Sequence, residues 1–588
     1  MSKAQGSPLR ELAETVAHEL ALQSVPSRVH VDGFPEPRPD CVYVLMDPWA
    51  YVAVEGDRAL PDDAILRRTI FLCVEPPPRS AHDPHLELLE RAGAVFTIDP
   101  RSLLALQRLG IAARLMRPGY SRSLDHFDPT AQRPVDVTFL GTHTSRRTRY
   151  FNRAARVLAR YNCALHLVAG GAPGGEAGSA QAREKWALLA QTKVLVNLHG
   201  GEETRLEWRR VLDGIHAGAV VVSEHSSGIA PLVAGEHVLM ASADALPYVA
   251  ESVLADEVRL ARIRAEAYER LSTWIPFALP VSVLRAAVVE LVGEPVAPDV
   301  ALGTPRPAQV TPGLHLGREM PVAPARSTRV SAEVLQESPA WSPDGHPRVS
   351  VITVIGNAAE PLVVALESVI RSTTRDFELV LVDSGRDDGA RAAAAGWIDE
   401  HPEVPARLVA GAPGAGLGGA RNAGVAAARG ARCLILDPGQ EVYPRCIDRL
   451  ATALDERPEV AFVYPIQEVT GAADEFAGAG GDYLMSFLDW TPERLRGGNY
   501  IHAPALVRTE VVRALGGFVA DERLRGFEDY DLWCRIAEHG GSGYLVAEPL
   551  ARRPESGRSE TLGALRPSPG PATRALAGRA PRLLAGAF

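Results

Sequence analysis

The feature that most limits how this chain can fold is a rhythm. Short apolar runs of strand length alternate with stretches of helical pattern, and the rhythm occurs twice. Upstream the runs are CVYVLMD, RTIFLCVE, AVFTID, VDVTFLGT, ALHLVAGG, TKVLVNLH, GAVVVSE and HVLMAS; downstream they are RVSVITVIG, FELVLVDSG, ARLVAG, RCLILDP and VAFVYP. Runs of this kind bounded by turn residues and separated by helices read as parallel sheet covered by helices. The fold class expected is α/β in both halves, with no internal repeat.

Between the two runs, residues 296 to 346 become proline-rich and lose periodic apolar pattern, as in VAPDVALGTPRPAQV. That composition suits a semi-extended linker. A chain of 588 residues is too long for one core, and at roughly 150 residues per domain it divides into three or four units. The expected limits are a leading α/β domain at 1–125, a second at 126–295, the linker at 296–346, a third α/β domain at 347–558, and a disordered basic tail at 559–588. The polar stretch 117–136 would join the first two. From residue 566 on, the tail carries Arg566, Arg574, Arg579 and Arg582 without an acid, enough for at most peripheral contact with an anionic membrane.

A formal charge of −10 argues against a nucleic-acid partner, whose phosphates need a basic surface. The six cysteines are widely spaced with no CxxC pair, which favours reduced core thiols and a cytoplasmic location. No apolar run approaches the ~20 residues that span a bilayer. The first residues turn into a helix capped by Ser7 with Pro8 at its first position, so no signal peptide is expected.

Five features gather in residues 348 to 558. The strand in FELVLVDSG ends on Asp383, placed to accept hydrogen bonds from a nucleobase or ribose; an aspartate closing its own turn is the plain alternative. GLGGARNAGVAAARG sets Arg421 and Asn422 at a helix start behind a glycine-rich loop, a geometry that suits a diphosphate. CLILDPGQEVYP delivers Asp437 to the carboxyl end of a strand, the edge where open α/β sheets bind ligands, and breaks at Pro438-Gly439. GGNYIHAPALVRTEVVRALGGF fits the floor of an acceptor pocket. RGFEDYDLWCRIAEHG places Glu528 and Asp529 in the first turn of an amphipathic helix, where acids are often dipole partners only.

In order and spacing these segments resemble the glycosyltransferase family 2 pattern on the GT-A fold. Where that family shows VSVIIPTYN, VVDDGS, ARNxG, LDADD, a GG turn and ED-x-DLW, this chain has VSVITVIGN, LVDSG, ARNAG, LDPGQ, GGF and EDYDLW. The resemblance implies nucleotide-sugar contacts at Asp383, Arg421, Asn422 and Asp437, a Mg2+ or Mn2+ ion held by Asp437, and general-base work by Asp529 with Glu528 beside it. The chain departs from the pattern on the donor side: Val354, Ile355 and Gly356 replace Pro-Thr-Tyr, Ser384 replaces an acid, and Gly439 stands where a second metal carboxylate is usual. One carboxylate is still sufficient for magnesium, which keeps waters and takes the substrate's phosphates as ligands. Glu441 is a remote second ligand, and Arg552 and Arg553 are candidates to supply positive charge in place of the lost ligand, or belong to a basic surface loop.

Upstream, TKVLVNLHGGEETRLEWRRVLDGIHAGAVVVSEHSSGIAPLVAGEHVLMAS resembles the nucleotide-sugar-binding half of GT-B glycosyltransferases. The resemblance implies donor contacts at Asp213, with Arg210 toward phosphates, Glu224 toward a ribose, and His199 beside the donor or merely hydrogen-bonded at a strand end. The usual first glutamate of the family's EX7E pattern has no counterpart, since position 205 is Arg205.

The function expected is transfer of a sugar from a nucleotide-sugar donor to a hydroxyl of a glycan or other acceptor, inverting and metal-assisted in the C-terminal domain. Two alternatives stand beside it. The upstream module performs the transfer while the other only binds, or both modules have become a non-catalytic glycan-binding scaffold.

Overall fold

The computed structural model describes residues 8–292, 333–470, 483–554 and 571–585, apart from 32, 39, 57–59, 75–83, 169–177, 202–205, 357–358, 386–388 and 412–413. The chain divides into two compact units, residues 1–138 with 170–313, and residues 139–169 with 314–588.

The first unit opens with the helix Pro8–Leu22; its expected cap, Ser7, lies outside the described residues. Four parallel strands follow in chain order, Tyr43–Met46, Thr69–Cys73, Ala94–Thr97 and Ala113–Leu115. Both faces of this sheet are covered, as continuous apolar runs require. Met46, Ile70, Leu72 and Phe96 pack with Leu12, Val16 and Leu20 of the first helix and with Val281 and Leu284 of the helix Ala278–Val292. Leu45, Phe71, Cys73 and Val95 face Leu86, Leu89 and Leu106 on the other side. The second sheet of this unit is also parallel and runs Val135–Thr142, Thr192–Asn197, Val220–Glu224, Val238–Ala241.

The strand Val135–Thr142 passes out of the first unit at residue 138. Its end, the helix Ser145–Leu158 and the strand Cys163–Val168 belong to the second unit, although the sequence pattern assigns 126–295 to one domain. The reason is packing that periodicity does not reveal. Asn152, fully buried on that helix, donates to the backbone carbonyl of Val469 at 3.0 Å.

Among the described residues, the main sheet of the second unit has ten strands. Its path is Val334–Glu337, Ala406–Ala410, Phe377–Asp383, Val349–Ile355, Arg432–Ile435, Ala505–Arg508, Val460–Thr470, Ser542–Pro554 and Glu441–Val442, with Tyr483–Met485 paired to Val460–Thr470. The three strands around Val349–Ile355 are parallel, with Ile355 opposite Asp383 and Ile352 opposite Ile435. That register brings the ends of the strands preceding Ser384 and Asp437 to one edge of the sheet.

Two stretches differ from their expected roles. Within the proline-rich stretch, Val334–Glu337 is an antiparallel edge strand on Ala406–Ala410, and the guanidinium groups of Arg407 and Arg429 lie over the Trp341 ring, 3.8 and 4.5 Å from its centre. Residues 293–332 lie outside the described residues. In the tail, expected to be disordered, Pro571–Arg579 is a helix that buries Leu576, Ala580 and Leu584. Proline and arginine content alone did not show that its apolar residues fall on one face. Arg566 lies outside the described residues.

The six cysteines are free thiols, five of them buried. Among the described residues no helix is long and apolar enough to cross a membrane.

Candidate functional site

Asp437 leaves the sheet just after Leu436, whose N–H donates to the carbonyl of Ile352 at 3.0 Å. The chain then turns at Gly439, which sits at φ +84° and donates to the Pro361 carbonyl at 2.9 Å. An L side chain is strained in that left-handed region, and the position offers no second acid beside Asp437. Gln440 ties the turn down, accepting from the Asp437 N–H at 3.1 Å and donating to the Ala503 carbonyl at 2.7 Å.

Arg421 lies in the helix Gly416–Ala427 and is 2% exposed. Its Nη2 donates to Asp437 Oδ1 at 2.9 Å and its Nη1 to Asp529 Oδ1 at 2.7 Å. One guanidinium thus joins the carboxylate that ends a strand to the one that opens the helix Glu528–Glu538. Burial works against the charge on Arg421, but the Asp529 and Asp437 carboxylates outweigh it and hold the guanidinium above its ordinary value. Burial pushes the carboxyls of Asp529 and Glu528 up, and Arg421 opposes the shift in both. The sequence placed Arg421 against a diphosphate; in the structure its fork is occupied by two acids.

Two further groups reach this cluster. Arg553 acts on Asp529 and on His502 through its charge, and His502 in turn feels Asp437. His502 is 2% exposed, and burial together with Arg553 pushes its imidazole down to about 3, so the ring is neutral near pH 7. The segment NYIHAP contains no spacing that marks His502, which is why the sequence reading passed over it. Arg552 faces away from Arg553, as neighbours on a strand do; it lies 3.6 Å from Glu441 and so turns that acid into a pairing partner.

The remaining residues expected at this site have local tasks. Asp383, 7% exposed, accepts from the Gly385 N–H at 3.0 Å, and its second oxygen is 3.6 Å from Arg391. Asn422 donates to the Phe518 carbonyl at 2.9 Å and accepts from the Phe518 N–H at 2.7 Å. It thereby fixes the turn at Gly517, where φ is +83° and a Cβ would lie 2.3 Å from Asn422 Oδ1. Asn422 therefore acts on the backbone of its own domain.

In the first unit the expected residues separate into two groups. His199 Nε2 meets Ser226 Oγ at 2.7 Å and its Nδ1 is 3.5 Å from Glu224; Arg210 donates to Asn197 Oδ1 at 3.2 Å. These side chains gather at the carboxyl ends of Thr192–Asn197 and Val220–Glu224. Asp213 does not join them. It is paired with Lys185 at 3.1 Å, and Lys185 also holds Glu11 at 2.7 Å. Arg205 lies outside the described residues.

Among the described residues no group of three or more His, Cys, Asp or Glu side chains converges on a point where a metal ion fits. Asp437, with its side chain 23% exposed, is a hard oxygen donor suited to magnesium or manganese.

Residues 350–516 match the family model described as Glycosyl transferase family 2. The chain is 28% identical over 207 residues to the putative glycosyltransferase EpsE of Bacillus subtilis (strain 168), covering 35% of this chain and 72% of that protein. It is 36% identical over 112 residues to the succinoglycan biosynthesis protein ExoO of Rhizobium meliloti (strain 1021), covering 19% of this chain and 31% of the relative. It is 29% identical over 248 residues to the O-antigen biosynthesis protein RfbC of Myxococcus xanthus, covering 41% of this chain and 18% of RfbC. Among solved structures, S. aureus TarS 1–349 in complex with UDP matches at 14% identity and a TM-score of 0.31, over 40% of this chain and 65% of that one. The mannosyltransferase PcManGT from Pyrobaculum calidifontis, in complex with GDP-Man and Mn2+, matches at 21% identity and the same TM-score, over 43% of this chain and 73% of its own. Within the C-terminal half, residues 350–516 thus form a domain that matches glycosyltransferase family 2.

Proposed function

We propose that residues 347–554 transfer a sugar from a nucleoside-diphosphate sugar to a hydroxyl of a glycan or similar acceptor, with inversion at the anomeric carbon. The observation that carries this reading is the meeting of Asp437 and Asp529 on Arg421, at 2.9 and 2.7 Å. Asp529 takes the acceptor's proton as its oxygen attacks the anomeric carbon, and the bond from that carbon to the diphosphate breaks on the opposite side. Glu528 lies beside it in the same helical turn. Asp383 receives the nucleoside at the neighbouring strand end. Arg421 fixes the orientation of Asp529, and Arg553 supplies positive charge near the departing diphosphate.

Asp437 would hold a divalent cation together with the donor's phosphates, and Mg2+ or Mn2+ would supply neutralising charge to the leaving group. With one protein carboxylate, Asp437 would hold the cation only together with the donor's phosphates. The compartment that suits the free thiols is the cytoplasm.

A second reading rests on the cluster of His199, Glu224, Ser226 and Arg210 at a sheet edge of the first unit. There a GT-B-like module binds the donor and transfers the sugar, and the family 2 domain holds the acceptor.

The test is a panel of nucleotide sugars, UDP-GlcNAc and GDP-mannose among them, read by thermal shift with and without Mn2+. It is repeated with Asp437→Asn, Asp529→Asn and Glu224→Ala. The family 2 reading expects Mn2+-dependent stabilisation that Asp437→Asn removes and turnover that Asp529→Asn removes. Turnover lost in Glu224→Ala and kept in Asp529→Asn selects the second reading. No stabilisation by any donor points to a glycan-binding scaffold.

A further inference from the structure

The helix bearing Glu528 and Asp529 also bears Asp531, which is fully buried. Arg535, one turn further on, donates to Asp531 Oδ2 at 2.7 Å. A second guanidinium comes from the C-terminal segment. Arg579, at the end of the helix Pro571–Arg579, donates to Asp531 Oδ1 and, at 3.3 Å, to Oδ2.

The same segment grips that helix at its other end. Glu538 accepts from the backbone N–H of Arg582 at 3.1 Å and from that of Leu583 at 2.7 Å. It also reaches the turn before the acceptor-side strand, where Arg496 donates to the Leu583 carbonyl at 2.8 Å. Leu576, Ala580 and Leu584 are buried beneath it. A loose tail would make none of these contacts, and backbone donors bonded to a buried acid fix position more firmly than a surface ion pair does.

We propose that Arg579 is a positioning residue for sugar transfer: by pairing with Asp531 it clamps the helix that carries Glu528 and Asp529, so that the C-terminal segment 571–585 sets where the base stands relative to the acceptor. This rests on Asp529 being the base, as proposed above. The clamp does not touch the donor-side groups Asp383 and Asp437. Its loss therefore acts on turnover and leaves nucleotide binding alone. A shift of the base by about an ångström is enough to lower the rate about 10- to 100-fold.

The experiment uses the full chain and compares Arg579→Ala, Arg579→Lys, Arg582→Ala and Asp529→Asn. Release of nucleoside diphosphate from UDP-GlcNAc and GDP-mannose gives kcat and KM, calorimetry gives UDP and GDP binding, and thermal unfolding reports folding. Arg579→Ala is expected to lose kcat about 10- to 100-fold with KM and nucleotide binding within about twofold of the parent. Arg579→Lys, which keeps the charge, restores most of the rate. Arg582→Ala, whose side chain is 85% exposed, changes nothing. The clamp is overturned if Arg579→Ala turns over at the parental rate while Asp529→Asn is inactive, and the reading of Asp529 then stands. It is equally overturned if both Arg579 variants lose kcat, nucleotide binding and melting temperature together, which marks a general folding role. An Asp529→Asn variant with full turnover overturns both readings at once.

Discussion

Asp437 and Asp529 are held by the two terminal nitrogens of one buried arginine, Arg421, at 2.9 and 2.7 Å. Two carboxylates this near would repel in a poorly solvated place, and the guanidinium between them resolves the conflict through a hydrogen bond to each.

Removing that group leaves two acids facing each other. Arg421→Met is expected to destabilise the family 2 domain by about 3–5 kcal/mol at neutral pH, the range for a buried ion pair stripped of one partner. Urea unfolding at pH 7 measures it. Arg421→Lys rescues only part of the loss, because an ammonium does not present two parallel donors. A lysine variant as stable as the parent would remove the fork from the account.

Asp529→Asn is expected to lower turnover roughly 10²- to 10⁴-fold, the usual contribution of a general base. The pH profile carries a second signature. A base works unprotonated, and burial pushes the Asp529 carboxyl up. The acid limb of kcat therefore lies at higher pH than an ordinary aspartate near 4 would give. An acid limb at or below that value contradicts the burial seen here.

His502 makes the domain acid-sensitive. Its folded value near 3 lies below the ordinary 6.5, so the unfolded chain binds one more proton between those limits. The stability it contributes is complete above pH 6.5 and is lost as pH falls toward 3, at up to about 1.4 kcal/mol per pH unit. Denaturant unfolding from pH 7 to 4, compared with His502→Gln, should show a slope shallower by about one proton in the variant.

Gly439 is tested by restoring side chains. No neighbour is closer than 3.5 Å to a Cβ built there, so the penalty of Gly439→Ala is the positive φ alone, about 1–2 kcal/mol. Gly439→Asn should lose less, since asparagine enters the left-handed region more readily. Equal stability of all three proteins would show that the turn relaxes.

Parts of the site were legible along the chain because they are local. Asp437 ends a strand and Asp529 starts a helix, and each position follows from a break in apolar pattern within a few residues. The glycine pair at 516 and 517 announces a turn for the same reason. Asn422 was expected at a helix start but lies midway along the helix Gly416–Ala427, and its partner Phe518 lies far along the chain. The tail was misjudged on similar grounds: its composition is that of a linker, and its order comes from Asp531 and Glu538, acids of another helix. Asp213 sits on the expected helix, yet Lys185 rather than a strand-end group claims it.

The sequence by itself determined the parallel strands of the first half and the parallel centre of the mixed sheet in the second, since apolar runs of that length are stable only when buried on both faces. Tertiary structure alone decided that Arg421 joins two acids, that His502 is sealed and neutral, and that Arg579 pairs with Asp531 on the helix Glu528–Glu538. Those outcomes depend on which distant charges the packing leaves in a poorly solvated interior, where each must find a partner or give up its charge.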